Sequence, residues 1–575
     1  MGSNPPPING SQGQSLLNDK SKADEFQRKF MSVFGESNVS TRAWSNNAEV
    51  TEVDLSPSRV RTKIFQMNGK AAAGLDTLGM NLYKEAPFKV FEALSLIFQC
   101  CFNTGVLPDD WVLAKVTPIW KNAGSKSDIA KYRPVSISIA AFKILEAMFS
   151  DNIEKAAEIL DFFGDEQHGF RGGRSTVTNL TSYWDTITRL VDQNKRVYVI
   201  NLDMSRAFDT LDIEYLLDSL EMVGVGGSLG CLLKNWLKGR FQCVEVGNSR
   251  LGLERVGSGI QQGSLTGPCL FNIAASRITA GLRGRGLRFL QYADDLKVIF
   301  EVNNEDEMNA VQEALDEMVA EANKAGLAFN ASKSSLLAFG GWDIGRYPVQ
   351  VRIGDGMVER VKEAKDLGLT FQSNLSFSST LASNLKKAMA IVHIIRTTIK
   401  VRTISLLRQL YEAYFLPIIT YGSEVFVSEM SMVKSSMLKG YRAFWRLAGN
   451  KFPLPDDLLD PYQICVIKSM GMFKRIQMNK TCFTFGNLFS FNENGSTRSS
   501  IQQDLEVGLA RKKGRFNFFS NMCSHWFNAL TPEVRNSGGL SAFKQDVIQM
   551  VKSKYPTPPC DLRPRYVIWQ ESQSA

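Results

Sequence analysis

The chain has 575 residues, of which 44% are hydrophobic and 22% charged, so it is long enough for two or more domains and has the composition of a folded protein. Its 67 Lys and Arg residues exceed its 58 Asp and Glu residues by nine, which permits a polyanionic partner without requiring one. Three histidines and nine scattered cysteines argue against a zinc site, and no apolar run reaches the roughly 20 residues that span a membrane.

The N-terminal region carries neither the basic nor the apolar segment of a secretory signal, so we expect an intracellular protein, in the nucleus and/or the cytoplasm, without contact to a membrane. Residues 1–22 are rich in Pro, Gly, Ser and Asn, which predicts a disordered tail. Helical spacing of Phe26, Phe30 and Val33 predicts a short helix, and a second helix is predicted from Val90 to Cys101.

Two apolar β-forming segments, from Val116 to Lys121 and from Tyr132 to Ile137, flank a polar loop and predict a β-hairpin. The hairpin carries Lys121 and Arg133. Exposed basic residues are usually solvated, but two of them projected from one hairpin can also hold the phosphates of a nucleotide. The Gly- and Arg-rich turn from His168 to Thr176 has two equally acceptable interpretations: it can approach phosphates, or it can be a solvated loop.

A carboxylate, Asp203, directly follows Val197 to Leu202, a run apolar enough to be a strand buried on both faces. Phe208 lies five residues later, where its ring can lie against the sugar of a nucleotide and clash with a 2′-hydroxyl, although a core Phe is the commoner role. Further on, a glycine-dense turn contains Gln262 and Gly263, which allow close approach of the backbone to a base pair or sugar.

Asp294 and Asp295 form the polar centre of a predicted hairpin between Phe289 and Phe300. Two acids in a turn are usually only solvated. With Asp203, however, three carboxylates would converge from two strand ends, and divalent cations bound by oxygen ligands resolve their repulsion. Two such ions can clamp the attacking and leaving oxygens of a phosphoryl transfer. Lys333 can protonate the leaving group or neutralise its charge, although an exposed turn lysine is more common.

Alternating strands and helices up to this point predict an α+β domain with helices on one face of a mostly antiparallel sheet. From about Leu375 the pattern becomes helical with many basic residues, which suits the holding of a duplex by its phosphates or a plain solvated face.

Several segments, taken in order, resemble the blocks of reverse transcriptases, most of all those of non-LTR (LINE-type) retrotransposons: Tyr132-Arg133-Pro134, His168 to Arg171, Leu202 to Asp209, Gln262 to Pro268, Tyr292 to Asp295, and Gly326 to Lys333. The resemblance implies a right-hand polymerase with fingers, a palm built on an antiparallel sheet and a helical thumb. It places an N-terminal extension and the start of the fingers at 23–110, the fingers and palm at 111–372, the thumb at 373–445, and a mainly helical C-terminal region at 446–575.

The resemblance also implies roles for individual residues. Asp203, Asp294 and Asp295 would be catalytic ligands of two Mg²⁺ ions, for which Mn²⁺ can substitute, and Lys333 would be a further catalytic residue. Contacts to the nucleotide would come from Lys121, Arg133, Phe208, Gln262 and Gly263. The expected activity is that of a nucleotidyltransferase with an RNA template, a DNA primer and dNTPs; the sequence points to no protein partner.

The chain departs from the family at several places. It has Arg206 where Lys is usual, and Asp366-Leu367-Gly368 where the family has Tyr-Leu-Gly in the strand expected to grip the primer. The family's endonuclease is missing before the polymerase, so we expect a truncated or host-retained copy. The alternatives are a catalytically inactive retrotransposon relic or an RNA-binding protein, and an RNA-dependent RNA polymerase, which Phe208 and the Tyr-Ala before the acid pair disfavour.

Overall fold

The computed structural model describes residues 4–11, 13–35, 44, 52–122, 124–340, 349–428, 431–449, 457–484, 488–489, 505, 518–535 and 538–556. Its helices are α1 Asp19–Met31, α2 Pro57–Gln66, α3 Met80–Lys84, α4 Phe88–Thr104, α5 Ala140–Ile159, α6 Thr176–Asp192, α7 Ala207–Thr210, α8 Ile213–Met222, α9 Gly227–Lys238, α10 Gly267–Ile278, α11 Ala280–Gly284, α12 Glu305–Lys324, α13 Ser378–Thr398, α14 Ile404–Leu410, α15 Leu416–Ile419, α16 Ser423–Phe426, α17 Ser431–Trp445, α18 Pro461–Gln477, α19 Phe519–Asn528, α20 Pro532–Arg535 and α21 Leu540–Lys554.

The strands are β1 Ile8–Asn9, β2 Ser15–Leu16, β3 Leu113–Trp120, β4 Tyr132–Ser138, β5 Val197–Leu202, β6 Met204–Ser205, β7 Phe241–Val246, β8 Ser249–Arg250, β9 Glu254–Arg255, β10 Arg288–Tyr292, β11 Asp295–Glu301, β12 Ala328–Phe329, β13 Ser335–Phe339, β14 Arg352–Ile353, β15 Gly356–Met357, β16 Glu359–Arg360, β17 Glu363–Asp366 and β18 Leu369–Gln372. Short 3₁₀ segments cover Asp109–Val112 and Ile129–Lys131, and a π-helical turn covers Tyr411–Phe415. The protein is therefore a mixed structure of helices and sheets, as predicted.

The central sheet has five strands in the order β10-β11-β5-β13-β16, antiparallel except for the last pair. The predicted acidic hairpin is its β10–β11 edge, and the strand predicted before Asp203 is β5. In the register of β5 with β11, Leu202 lies opposite Leu296. The residues that follow β5 and precede β11 therefore lie at the same end of the sheet.

Helices cover both faces of this sheet, which corrects the prediction of helices on one face. Side chains alternate along a strand, and accordingly Ile200 and Leu202 belong to one hydrophobic core while Val197 and Val199 belong to a second. Helices α5, α8, α10 and α12 contribute to the first core, and α6, α13, α17 and α18 to the second. The periodicity of a helix gives its apolar stripe but not the sheet face on which it packs.

A second sheet, in the order β4-β3-β7-β8 with β9 also paired to β7, contains the β-hairpin that was predicted around Lys121 and Arg133. The predicted helix near Phe26 is α1, which packs on this sheet through Phe26 and Phe30. Strands β1 and β2 pair with each other, and Ile8 of β1 is fully buried in the same cluster as Phe26 and Phe30. The prediction of a disordered tail over residues 1–22 is therefore wrong there, because an apolar side chain and α1 supply a packing surface that composition does not reveal.

Beyond residue 375 the described chain is helical, in agreement with the sequence pattern. The predicted C-terminal region 446–575 is described only in part, since 490–504, 506–517 and 557–575 lie outside the described residues. Across the ranges given above, no helix combines the length and the apolar character needed to cross a membrane.

Candidate active site

The acidic turn is a two-residue connection between β10 and β11. Tyr292 pairs with Asp295, so Ala293 and Asp294 form the turn itself. Ala293 has φ = 56°, the left-handed conformation that a residue with a Cβ adopts only at a cost. Two side-chain contacts hold this conformation: Gln167 Oε1 accepts from the Ala293 amide at 3.1 Å, and Gln291 Nε2 donates to the Ala293 carbonyl at 3.0 Å.

The segment from Gln167 to Phe170 lies alongside this turn. The amide of His168 donates to the Gln291 carbonyl at 2.8 Å, and the amide of Gly169 donates to Gln167 Oε1 at 2.8 Å. Gly169 is so close that a Cβ on it would lie 2.5 Å from the Ala293 nitrogen. A side chain at position 169 would therefore push on the turn that carries Asp294.

Arg171 and Arg174, which the sequence left open as phosphate contacts or solvated residues, have structural partners. Arg171 is buried, forms an ion pair with Glu158 and donates to the Gln167 carbonyl at 3.1 Å. Arg174 pairs with Asp165 at 2.8 Å. The segment from Gln167 to Arg174 therefore supports the acidic turn through its hydrogen bonds. Its two arginines, Arg171 and Arg174, are both ion-paired within the protein.

Asp203 directly follows β5, and hydrogen bonds to its backbone amide and carbonyl fix its position. Its amide donates to Ser334 Oγ at 3.3 Å, and its carbonyl accepts from the Asn330 amide at 2.9 Å. The short β6–β12 pair joins the same two segments. This brings Lys333 to Asp203, with 3.5 Å between Lys333 Nζ and Asp203 Oδ2. Two predicted site residues, 130 positions apart in sequence, thus lie side by side.

The pKa values of both Asp294 and Asp295 are raised. Burial raises the pKa of Asp294 above its usual value, and the charge of Asp203 adds to the effect. Burial, and then the charge of Asp294, raise the pKa of Asp295 to about 6. Because each carboxylate disfavours ionisation of its neighbours, this edge of the sheet has an excess of negative charge that a bound cation would relieve.

The donor atoms at this edge fit a hard divalent cation, although they do not form a closed ligand set. Within the described ranges, no three side chains of His, Cys, Asp or Glu come close enough together to make a preformed metal site. Asp203 Oδ2 is nevertheless buried and, in that part of the chain, has no hydrogen-bond partner. This oxygen forms an ion pair with Lys333 but accepts no hydrogen bond among the described residues, and a carboxylate oxygen beside Asp294 and Asp295 is the kind of ligand that Mg²⁺ and Mn²⁺ bind.

A cavity of about 630 Å³ opens in front of the turn. Seven of the nine predicted site residues line it: Lys121, Arg133, Phe208, Gln262, Gly263, Asp294 and Lys333. The other two, Asp203 and Asp295, do not line it. Its five cations (Lys29, Lys121, Arg133, Arg206 and Lys333) outnumber its two carboxylates (Asp209 and Asp294). A cavity of this size and charge suits a small polyanion.

The β3–β4 hairpin supplies the basic wall. Burial, and then the neighbouring charge of Arg133, lower the pKa of Lys121, whose Nζ donates to the Ala130 carbonyl at 3.1 Å. The two cations therefore share the cavity at an electrostatic cost that an anion between them would offset.

Phe208, Gln262 and Gly263 also line the cavity. The Phe208 ring stacks on Phe271 with 4.6 Å between ring centroids, so its position is fixed by packing. Gln262 Nε2 donates to Asp209 Oδ1 at 2.7 Å. Gly263 has φ = 116°, and a Cβ there would lie 2.4 Å from the Ser136 carbonyl oxygen, so the close approach requires glycine.

Sequence reasoning missed part of this cavity. Lys29, Phe30 and Val33 of the N-terminal segment line it, together with Arg206 and Asp209. Arg206 and Asp209 flank Phe208 in sequence and were within reach of motif reasoning. No local signal could have placed Lys29 there, because its position depends on the packing of α1 against the second sheet.

Comparisons with known proteins agree with the motifs. The family model described as reverse transcriptase (RNA-dependent DNA polymerase) matches residues 121–371. Among curated proteins, the chain is similar to the probable RNA-directed DNA polymerase from transposon BS of Drosophila melanogaster, with 23% identity over 365 residues that cover 62% of this chain and 40% of that protein. It is also similar to the RNA-directed DNA polymerase from mobile element jockey of the same organism, with 24% identity over 57% of this chain and 36% of that protein.

The chain spans about two fifths of the length of these curated relatives. Among solved structures, apo telomerase from Candida tropicalis is similar with a TM-score of 0.37 and 13% identity, covering 69% of this chain and 65% of that chain. The family that the motifs predict is the family whose model matches.

Proposed function

We propose that this chain, whose residues 121–371 form a reverse transcriptase domain of the non-LTR retrotransposon type, is an RNA-directed DNA polymerase. It would extend a primer 3′-hydroxyl with dNTPs on an RNA template. The observation that carries the proposal is the cavity in which Asp294 faces Lys121, Arg133 and Lys333, since phosphoryl transfer needs a carboxylate edge for metal beside cations for the phosphates.

The right-hand description follows from this assignment. The sheet β4-β3-β7-β8 with α4 and α5 would be the fingers, the sheet β10-β11-β5-β13-β16 the palm, and α13 to α17 the thumb. The boundaries 23–110, 111–372, 373–445 and 446–575 remain proposals. The positions of Lys121 and Arg133 on one sheet and of the carboxylates on the other support a nucleotide site between fingers and palm.

Asp203, Asp294 and Asp295 would hold divalent metal, and when bound the two ions would stabilise the negative charge that develops on the attacking and leaving oxygens. The buried Oδ2 of Asp203, which accepts no hydrogen bond from the described residues, and the raised pKa values of Asp294 and Asp295 support this assignment. Lys333 lies 3.5 Å from Asp203 and would keep a positive charge at the leaving pyrophosphate, or donate a proton to it.

The nucleotide would lie between the basic hairpin and Phe208. Lys121 and Arg133 would bind its phosphates, and Gln262 with Gly263 would pack against its sugar or base. Phe208 is fixed by its stacking on Phe271, so it cannot move away easily from a 2′-hydroxyl. This supports the choice of dNTPs over rNTPs, and with it a polymerase that makes DNA.

Primer extension on a poly(rA) template with oligo(dT), dTTP and Mg²⁺ tests the proposal. Wild type should extend the primer, and Asp294→Asn should lose at least about 10²-fold in rate, because it removes a charge on which metal binding depends. Asp355→Asn, in an exposed turn between β14 and β15, is the matched control and should extend normally.

Equal extension by wild type and Asp294→Asn, or no extension by wild type, would contradict the proposal and favour an inactive relic or an RNA-binding protein. Use of rNTPs as readily as dNTPs would instead favour an RNA polymerase. Omission of Mg²⁺ should abolish extension, and Mn²⁺ should restore it.

A further inference from the structure

A lysine is buried on the strand that begins with the acid pair. Lys297 lies on β11 two residues after Asp295, so both side chains point to the same face of the sheet. Only 1% of the Lys297 side chain is exposed. An ammonium group so far from water needs several polar partners.

Three groups surround the Lys297 ammonium. Its Nζ forms an ion pair with the carboxylate of Asp366, itself 8% exposed, and donates to Asn179 Oδ1 at 2.7 Å. It also lies 4.8 Å from the ring centroid of Tyr183, within range of a cation–π contact. Asn179 and Tyr183 both belong to α6, and Asn179 also donates to the Gln291 carbonyl at 3.1 Å, next to the acidic turn.

Asp366 belongs to a different hairpin, β17–β18. Asp366 pairs with Leu369, so Leu367 and Gly368 form its turn, with φ angles of 42° and 89°. The Leu367 carbonyl accepts from the Tyr421 hydroxyl at 2.8 Å, and Thr380 of α13 bonds to the backbone of Thr370. The hairpin is thus fixed to the helical region on one side and, through Asp366, to β11 on the other.

The two members of the pair come from segments that are far apart in sequence, and burying both charges is expensive. A buried ion pair contributes little net stability compared with apolar side chains of similar size, but its geometry is directional. The contact between Lys297 on β11 and Asp366 on β17 joins the two hairpins directly. The pair therefore fixes where the Leu367–Gly368 turn lies relative to Asp295.

We propose that Lys297 and Asp366 are positioning residues that hold the β17–β18 hairpin against the acidic hairpin and thereby fix the place of Asp295 at the start of β11. This inference rests on the proposed polymerase function. It also gives a physical reason for an acid at position 366, because the Asp366 carboxylate balances the charge of Lys297, which follows Asp294 and Asp295 on the same hairpin.

Single-turnover addition of one nucleotide to a pre-bound poly(rA)–oligo(dT) duplex tests the inference, because the rate constant is independent of the fraction of folded enzyme while the amplitude measures that fraction. Lys297→Met should lower the rate constant by about 10- to 100-fold, the usual effect of misplacing a reacting group by about 1 Å. A purely structural role would lower only the amplitude.

Lys297→Met leaves a buried carboxylate unpaired and can fail to fold, so Lys297→Met/Asp366→Leu is measured beside it. The double variant should keep the wild-type melting temperature within a few degrees and still show the lowered rate constant, since apolar packing does not restore a directional tie. The control is Lys195→Met, which breaks a half-exposed pair with Glu301 at the other end of β11 and should leave the rate constant unchanged.

A folded double variant with the wild-type rate constant would overturn the positioning role while the polymerase proposal stands. Absence of extension by wild type itself would overturn the proposed function and this inference together. The two failures are therefore distinguished by the wild-type reaction.

Discussion

One methyl group placed outside the cavity should disable the acidic turn. A Cβ on Gly169 would lie 2.5 Å from the Ala293 nitrogen, whereas ordinary contacts of a Cβ begin at 3.4 Å, so the backbones must separate by about 0.9 Å (3.4 − 2.5). The next nearest atoms are Gln167 Oε1 and the Tyr292 carbonyl carbon, each at 3.1 Å, so two of the three closest contacts are with the backbone of the hairpin itself. Gly169→Ala should therefore displace Asp294 by several tenths of an ångström or more.

A displacement of this size is expected to lower the rate of nucleotide addition by about 10- to 100-fold, since a misplacement of about 1 Å costs roughly 10²-fold. The assay is single-turnover extension, with the melting temperature as a check on folding. Gly172→Ala in the same loop is the matched control, because a Cβ at Gly172 meets nothing within 4 Å. Wild-type rates for a folded Gly169→Ala variant would refute the claim that residues 167–169 position the acidic turn.

Two further predictions concern His168 and Lys29. His168 is buried, and burial lowers its pKa to about 3, compared with roughly 6.5 in an unfolded chain. The folded protein therefore holds His168 neutral. This contribution to stability is fully present above pH 6.5 and is lost as the pH falls towards 3. The free energy of unfolding of wild type relative to His168→Gln should thus drop by about 2 kcal/mol from pH 7 to pH 5, measured with urea; a constant difference would contradict it. Lys29→Ala should raise the KM for dTTP a few-fold with kcat nearly unchanged, because Lys29 lines the cavity without touching the carboxylates, and an unchanged KM would exclude the contact.

Much of the site could be predicted because its residues lie at strand ends. Asp203 and the Asp294 turn follow from runs of apolar residues that can only be buried strands, and two antiparallel neighbours bring such ends together. Lys121 and Arg133 follow from a hairpin whose two strands are both evident in the sequence. The sequence thus places these residues where local pattern and tertiary position coincide, while their catalytic and binding roles stay predictions.

It failed where position depends on packing between distant segments. The sequence left Arg171 open between a phosphate contact and a solvated residue, but Arg171 is buried and pairs with Glu158 in α5. The N-terminal residues looked disordered, yet Ile8 joins Phe26 and the second sheet in one cluster. In both cases the partner lies on another element, and a single sequence does not show which elements meet.

The acidic turn concentrates features that folding alone would avoid. Ala293 takes a left-handed conformation, burial raises the pKa of Asp294, and an oxygen of Asp203 is buried with no hydrogen-bond partner among the described residues. Each of these costs free energy, and strain of this kind persists only where the surroundings enforce it. Here the enforcement is visible in the Gln167 and Gln291 contacts to the turn. Carboxylates held close together beside a basic cavity suit the binding of a cation and a polyanion at one place, and this is what the polymerase chemistry proposed above requires.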